Sequence, residues 1–159
     1  RWFKHLCSGH WQVRRAFPPA AMRAIEVTIR EAERTPRGEI RFAVEAGLDI
    51  GPLLRNQSAH ERALEVFSQL RVWDTQHNNG VLIYLLLADR DVEIIADRGI
   101  HAHVGAEGWE KICREMEAEF RAGLFGQGVV HGIKAVSAHL ERHYPNSDIN
   151  ELPDKPTVL

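Results

Sequence analysis

Apolar and polar positions follow different rhythms along this chain, and each rhythm predicts an element. Met22, Ile25, Ile29 and Ala32 fall at helical spacing, with Arg23, Glu26, Arg30 and Glu33 available to face water. Phe17-Pro18-Pro19 marks the entry to this helix and Thr35-Pro36-Arg37-Gly38 its end. From Glu39 to Ala46 the rhythm shortens. Ile40, Phe42 and Val44 alternate with Arg41, Ala43 and Glu45, the pattern of a half-covered strand. Gly47 to Gln57 reads as a loop around Gly51 and Pro52. Ser58-Ala59-His60-Glu61 is a capping box, and the helix it opens carries Ala63, Val66, Phe67 and Leu70 on one side. Arg71 to Asn79 is a polar loop holding Trp73, Asp74 and His77.

The run that follows is apolar without interruption from Val81 to Leu87. A short turn with Asp89, Arg90 and Asp91 leads to a second strand, Val92 to Ala96, stopped by Asp97-Arg98-Gly99. This is a β-hairpin whose first strand is buried on both faces. A short piece, Ile100 to Gly105, precedes a helix presenting Trp109, Ile112, Cys113, Met116 and Phe120. His101 and His103 sit on that piece, read as extended. Gly123, Gly126 and Gly128 break the chain before a last helix with Val129, Ile133, Val136 and Leu140.

The order is α-β-α-β-β-α-α, with no internal repeat. A helical crossover between the first two strands is right-handed and makes them parallel. The hairpin sets the third antiparallel to the second. The expected fold class is α/β: a single three-layer α/β/α domain over residues 17–145, its mixed sheet ordered 1-2-3. Residues 1–16 form a basic, Trp-rich segment and residues 146–159 a flexible tail.

A chain of 159 residues suffices for one domain with a proper core. The formal net charge of -2 gives no reason to expect a nucleic-acid partner. Cys113 lies in an apolar helical row, so it and Cys7 read as free thiols suited to a reducing compartment. No run approaches the roughly 18 apolar residues of a membrane span. The first residues lack the apolar stretch of a signal peptide. A cytoplasmic protein is expected. Between residues 1 and 16, Arg1, Lys4, Arg14 and Arg15 stand among Trp2, Phe3, Leu6, Trp11 and Val13, with Ser8 and Gly9 interrupting a continuous helix. The simpler reading is a short helix docked on the body by its tryptophans. The alternative is an amphipathic contact with an anionic membrane surface.

The topology gathers polar groups. Strands one and two run the same way, so Glu39 and the Asn78-Asn79 turn share an edge, and the third strand returns Asp97 to it. Asp74 sits in the loop just before. Glu39, Asp74, Asn78, Asn79 and Asp97 are therefore the candidate ligands of one rim, with Asp89 and Asp91 at the opposite end. Carboxylates and amide carbonyls suit a hard cation, Ca2+ with its six to eight oxygens or the tighter Mg2+. Turn preferences alone also explain Asn and Asp at these positions. His139 and His143, at i and i+4, lack a third ligand at a telling spacing. The glycines after Ala122 follow no strand and precede no Lys-Ser/Thr, so they are no phosphate loop.

Taken together, these pieces resemble the TPM-domain family. The resemblance rests on Asn78-Asn79-Gly80-Val81-Leu82, on Asp89-Arg90, and on Asp97 with Gly99-Ile100. Gly38-Glu39-Ile40, the helix with Phe67, the Trp109 helix and an ending near Tyr144-Pro145 extend it from about Pro19 to Tyr144. It implies an α/β/α domain. In that family a plant thylakoid-lumen member is associated with photosystem II repair, and calcium binding and weak acid-phosphatase activity have been attributed to members. Many relatives resemble exported or membrane-tethered proteins, but this sequence shows neither a signal nor an apolar span. A soluble bacterial form is expected.

The expectation is an accessory or binding domain, holding a divalent cation, with no organic cofactor. One alternative is a weak metal-assisted acid phosphatase, for which the sequence supplies no convincing nucleophile. Another is a module that contacts a protein or a membrane surface through residues 1–16.

Overall fold

The computed structural model describes residues 1–34, 38–145 and 155–159. The expected helix stop at 35–37 and most of the expected tail, 146–154, lie outside the described residues. Two short helices, α1 (Trp2–Leu6) and α2 (His10–Ala16), come first, separated at Ser8-Gly9 as the sequence predicts. Then follow α3 (Pro19–Ala32), β1 (Glu39–Glu45), α4 (Ile50–Leu54), α5 (Ala59–Gln69), β2 (Gly80–Leu86), β3 (Asp91–Ala96), α6 (Arg98–Arg121), α7 (Phe125–His143) and β4 (Thr157–Val158).

The described sheet has the order β3-β2-β1-β4. β1 and β2 pair in parallel, with Glu39 beside Gly80 and Glu45 beside Leu86. β2 and β3 form the antiparallel hairpin, Val81 facing Ala96. The expected 1-2-3 order holds, but a fourth strand extends it. Thr157 and Val158 pair in parallel with Ala43 and Val44, so this part of the expected tail is tied to the sheet. Arg41 reinforces the tie by donating from Nη2 to Thr157 Oγ1 at 2.8 Å.

Strand alternation splits the core in two. Ile40, Phe42, Val44, Val81, Ile83 and Leu85 pack with Ile25 and Ile29 of α3, Met116 and Phe120 of α6, and Ile133 and Val136 of α7. On the other face Ala43, Leu82, Tyr84 and Leu86 pack with Leu53 of α4 and Ala63 and Val66 of α5. Every residue of β2 is buried, which confirms the central strand read from its unbroken apolar run.

Helix α5 is fastened at both levels. Ser58 and Glu61 make the reciprocal capping box. Arg62 then donates through two nitrogens to Glu45 of β1, at 2.9 and 3.0 Å. Tyr84 of β2 donates its hydroxyl to the same carboxylate at 2.6 Å. Burial, and then the Glu45 charge beside it, push the Tyr84 hydroxyl far above its ordinary pKa, so it stays a donor.

Three local readings change. The loop 47–57 contains the helical turn α4. Residues 100–104 are helical rather than extended, and Gly105, with φ 73° and ψ 167°, breaks them from the helix that carries Trp109. His101 and His103 therefore lie on a helix, and the Trp109 indole donates to His101 Nδ1 at 3.2 Å. Glu33, read as facing water, is buried, and its Oε1 accepts from the Ile40 amide at 2.9 Å.

Gly80 is required by a close approach. A Cβ there would lie 2.0 Å from the main-chain oxygen of Val72, which cannot swing aside as a side chain could. Gly80→Ala should cost about 3 kcal/mol or more in chemical denaturation. At Gly51, inside α4, a Cβ would meet nothing beyond its own neighbours nearer than the far end of Arg55 at 3.7 Å, but the ring of Pro52 follows, so Gly51→Ala should be mildly destabilising in the same measurement.

Candidate functional site

The parallel pairing and the hairpin bring the starts of β1 and β2 and the exit of β3 to one border of the sheet. Glu39 pairs in register with Gly80, and the Asp97 amide donates to the Gly80 carbonyl at 2.9 Å. Glu39, Gly80 and Asp97 thus form one row across three strands. Strands are about 4.8 Å apart, which puts the two acidic residues about 10 Å apart at Cα. Glycine leaves the middle of the row open, and the Val72 carbonyl oxygen occupies that space.

The five expected residues land differently. Glu39 is buried, and its amide donates to the Asn79 carbonyl at 3.4 Å. Asn79 is also buried, its amide held by Thr75 Oγ1 at 3.2 Å. Asn78 adopts the left-handed conformation, φ 51°, and its carbonyl accepts from the Ile100 amide at 3.3 Å. This is the backbone that a polar turn of Asn residues tolerates. Asp97 caps α6: one carboxylate oxygen accepts from the Arg98 amide at 2.7 Å. Its other oxygen, Oδ2, is buried with no hydrogen-bond partner among the described residues. Asp74 is exposed, and Arg71 holds its carboxylate at 2.7 Å. Among the described residues no three of His, Cys, Asp and Glu gather as ligands of one ion. The row therefore offers two carboxylates, with amide and main-chain oxygens as the other donors.

Sequence reasoning missed contributors here. Glu33 is buried beside the start of β1, and its signal was the spacing of four from Ile25 through Ile29. Tyr144 ends α7 near the row; burial, and then the Asp97 charge, raise its hydroxyl pKa. Gly99 fits because a Cβ there would come within 2.5 Å of the Asn78 carbonyl oxygen and 2.8 Å of the Tyr144 hydroxyl.

A separate groove of about 520 Å3 runs along the outer border of β3, with Asp91, Ile94, Trp109, Cys113 and Glu117 on its walls. Burial pushes the Cys113 thiol up to about 12, so it is no thiolate nucleophile. Burial, then the charges of Glu93, Glu117 and Asp89, push the Asp91 carboxyl up to about 6. The histidines at the end of α7 join no group of three metal-ligating side chains among the described residues, and the His143 ring stacks on His103 with centroids 4.5 Å apart.

The sequence profile of the TPM domain matches residues 14–139. The solution structure of the BA42 protein from the psychrophilic bacterium Bizionia argentinensis is 33% identical, with a TM-score of 0.76. That likeness covers 87% of this chain and 92% of that one. The N-terminal domain of a protein from P. gingivalis shares the fold at 19% identity and a TM-score of 0.65, over 84% of this chain and 82% of that one. Among curated proteins none matches significantly.

The Asp91 carboxyl generates a prediction about pH. Its folded pKa of about 6 exceeds the ordinary 3.8, so the folded state holds this proton more tightly than the unfolded chain. Stability therefore falls as pH rises through that interval. Asp91→Asn should stabilise the protein by about 1 kcal/mol at neutral pH, the figure being reduced for the half-exposed position. The gain should vanish below about pH 4, checked by denaturation across pH.

Proposed function

Because the chain belongs to the TPM-domain family, we propose that it is a non-catalytic accessory domain that holds a divalent cation at the Glu39–Gly80–Asp97 border. The observation that carries this reading is the row itself. Two acidic residues flank a glycine, the Val72 carbonyl oxygen sits in the gap, and Asp97 Oδ2 is buried with no partner among the described residues. Asn79, and Asn78 through its side chain, are the neutral oxygen donors nearest in sequence. Asp74 belongs to an outer position, since it is engaged by Arg71. Calcium suits this set better than magnesium, because it accepts irregular geometry and completes its shell with water.

The phosphatase alternative has less support. Ser58 is used as a helix cap, and the Cys113 thiol is held protonated. Hydrolysis through the border would need an activated water, for which no general base is distinguished from the cation's own ligands.

Calcium titration followed by thermal melting tests the proposal. An ion near a hundredfold above its Kd adds about 2.7 kcal/mol, a rise of roughly 5–10 °C for a domain of this size. Asp97→Asn should remove the rise while keeping the cooperative transition. No shift with either Ca2+ or Mg2+, or an equal shift in Asp97→Asn, refutes the assignment.

A further inference from the structure

Helix α1 is inside out. Its buried residue is His5, 3% exposed, while Phe3 is 80% exposed and Trp2 and Leu6 also face outward. The tryptophan-docked helix expected from the sequence is therefore corrected: polar contacts hold α1 down. His5 Nδ1 accepts from the Leu48 amide at 2.9 Å, which leaves Nε2–H to donate to Asp89 at 3.0 Å. Arg1 donates to the same aspartate at 3.2 Å and to the Gln57 carbonyl. Val13 and Phe17 anchor the next segment, but Trp11 remains 58% exposed. An isolated exposed aromatic is ordinary, whereas here Phe3 and Trp11 line one groove and Trp2 and Leu6 of the same short segment are exposed as well.

The charge of this segment is of one sign, and Asp89 of the hairpin turn borders the groove beside it. Arg1, Lys4, Arg14, Arg15 and Arg23 occur before the first acidic residue, Glu26, in a chain whose net charge is -2. Lys4, Arg14 and Arg15 are exposed and make no ion pair among the described residues. Asp89, in the hairpin turn beneath, is already matched by Arg1 and His5. Between α1, α2 and that turn lies an open groove of about 930 Å3, with Phe3, Lys4, Trp11 and Arg15 on one side and Phe125 on the other.

We propose that the α1–α2 surface docks the protein onto an anionic lipid bilayer. Exposed indole and phenyl rings enter the boundary between headgroups and acyl chains, and unmatched cations meet the lipid charge. A second copy does not fit this face. A two-fold contact would set Lys4, Arg14 and Arg15 against their own equivalents. The surface adjoins the hairpin turn, at the other end of β2 and β3 from the Gly80 row, so it stands or falls separately from the cation site.

The test is co-sedimentation at low salt with vesicles of phosphatidylcholine alone or mixed with phosphatidylglycerol. Binding to the mixed vesicles only, released by about 1 M salt, is expected. Quenching of tryptophan emission by brominated lipid should accompany it. Phe3→Ser should weaken partitioning about tenfold. Arg14→Glu with Arg15→Glu should weaken it about 25-fold or more, taking about fivefold per basic residue. Unchanged melting of both variants shows that folding is unaffected. No binding to anionic vesicles, or binding undiminished in the variants, overturns the proposal. A dimer that Phe3→Ser dissociates, without vesicle binding, overturns it in favour of self-association.

Discussion

The approach of the Val72 carbonyl to Gly80 is the constraint on which this architecture turns. It lets the end of the α5 segment lie directly on the central strand, where any side chain would hold it off. The polar loop that follows can then close within a few residues and deliver Asn78 and Asn79 to the same border as Glu39. Gly99 repeats the device on the other side of that loop, letting the first turn of α6 rest on the carbonyls of His77 and Asn78. Main-chain oxygens thus crowd the border wherever glycine makes room.

Polar groups elsewhere are placed by a different logic. Glu45, Arg62 and Tyr84 form a largely covered set, with Arg62 also donating to Glu65, and it ties α5 to both parallel strands. Such a network is worth little net energy compared with the apolar layers, yet removing one member would strand the others. It fixes which way the crossover lies. The border row differs, because Asp97 keeps an oxygen in reserve.

Much of this was legible in the chain. The unbroken apolar run of β2, the alternation in β1 and the capping box before α5 specify the sheet and its crossover, because each follows from local periodicity and backbone chemistry. Four features were not. The α4 turn hides behind Gly51 and Pro52, which read as loop formers. The helical turns before the Gly105 break are too short for periodicity to tell them from an extended piece. β4 is too short to carry any periodicity. The orientation of α1 depends on one buried histidine whose partners, Leu48 and Asp89, are distant in sequence. At the candidate border, strand direction alone brings Glu39 and Asp97 to the same end of the sheet. The Arg71 partner of Asp74 and the burial of Glu33 required the packed structure.

The two-rung ladder of Thr157 and Val158 has a consequence for how the protein ages. On the outer flank of β1 the cover among the described residues is this brief strand, the Leu159 amide donating to the Val44 carbonyl at 3.0 Å and the Arg41 contact. So short a ladder opens by local fluctuation, giving up the contact of Leu159 with the second core layer. Each opening bares amides and carbonyls of β1, the template from which strand exchange between molecules starts. The protection of this edge thus comes from far along the chain, from residues 157–159.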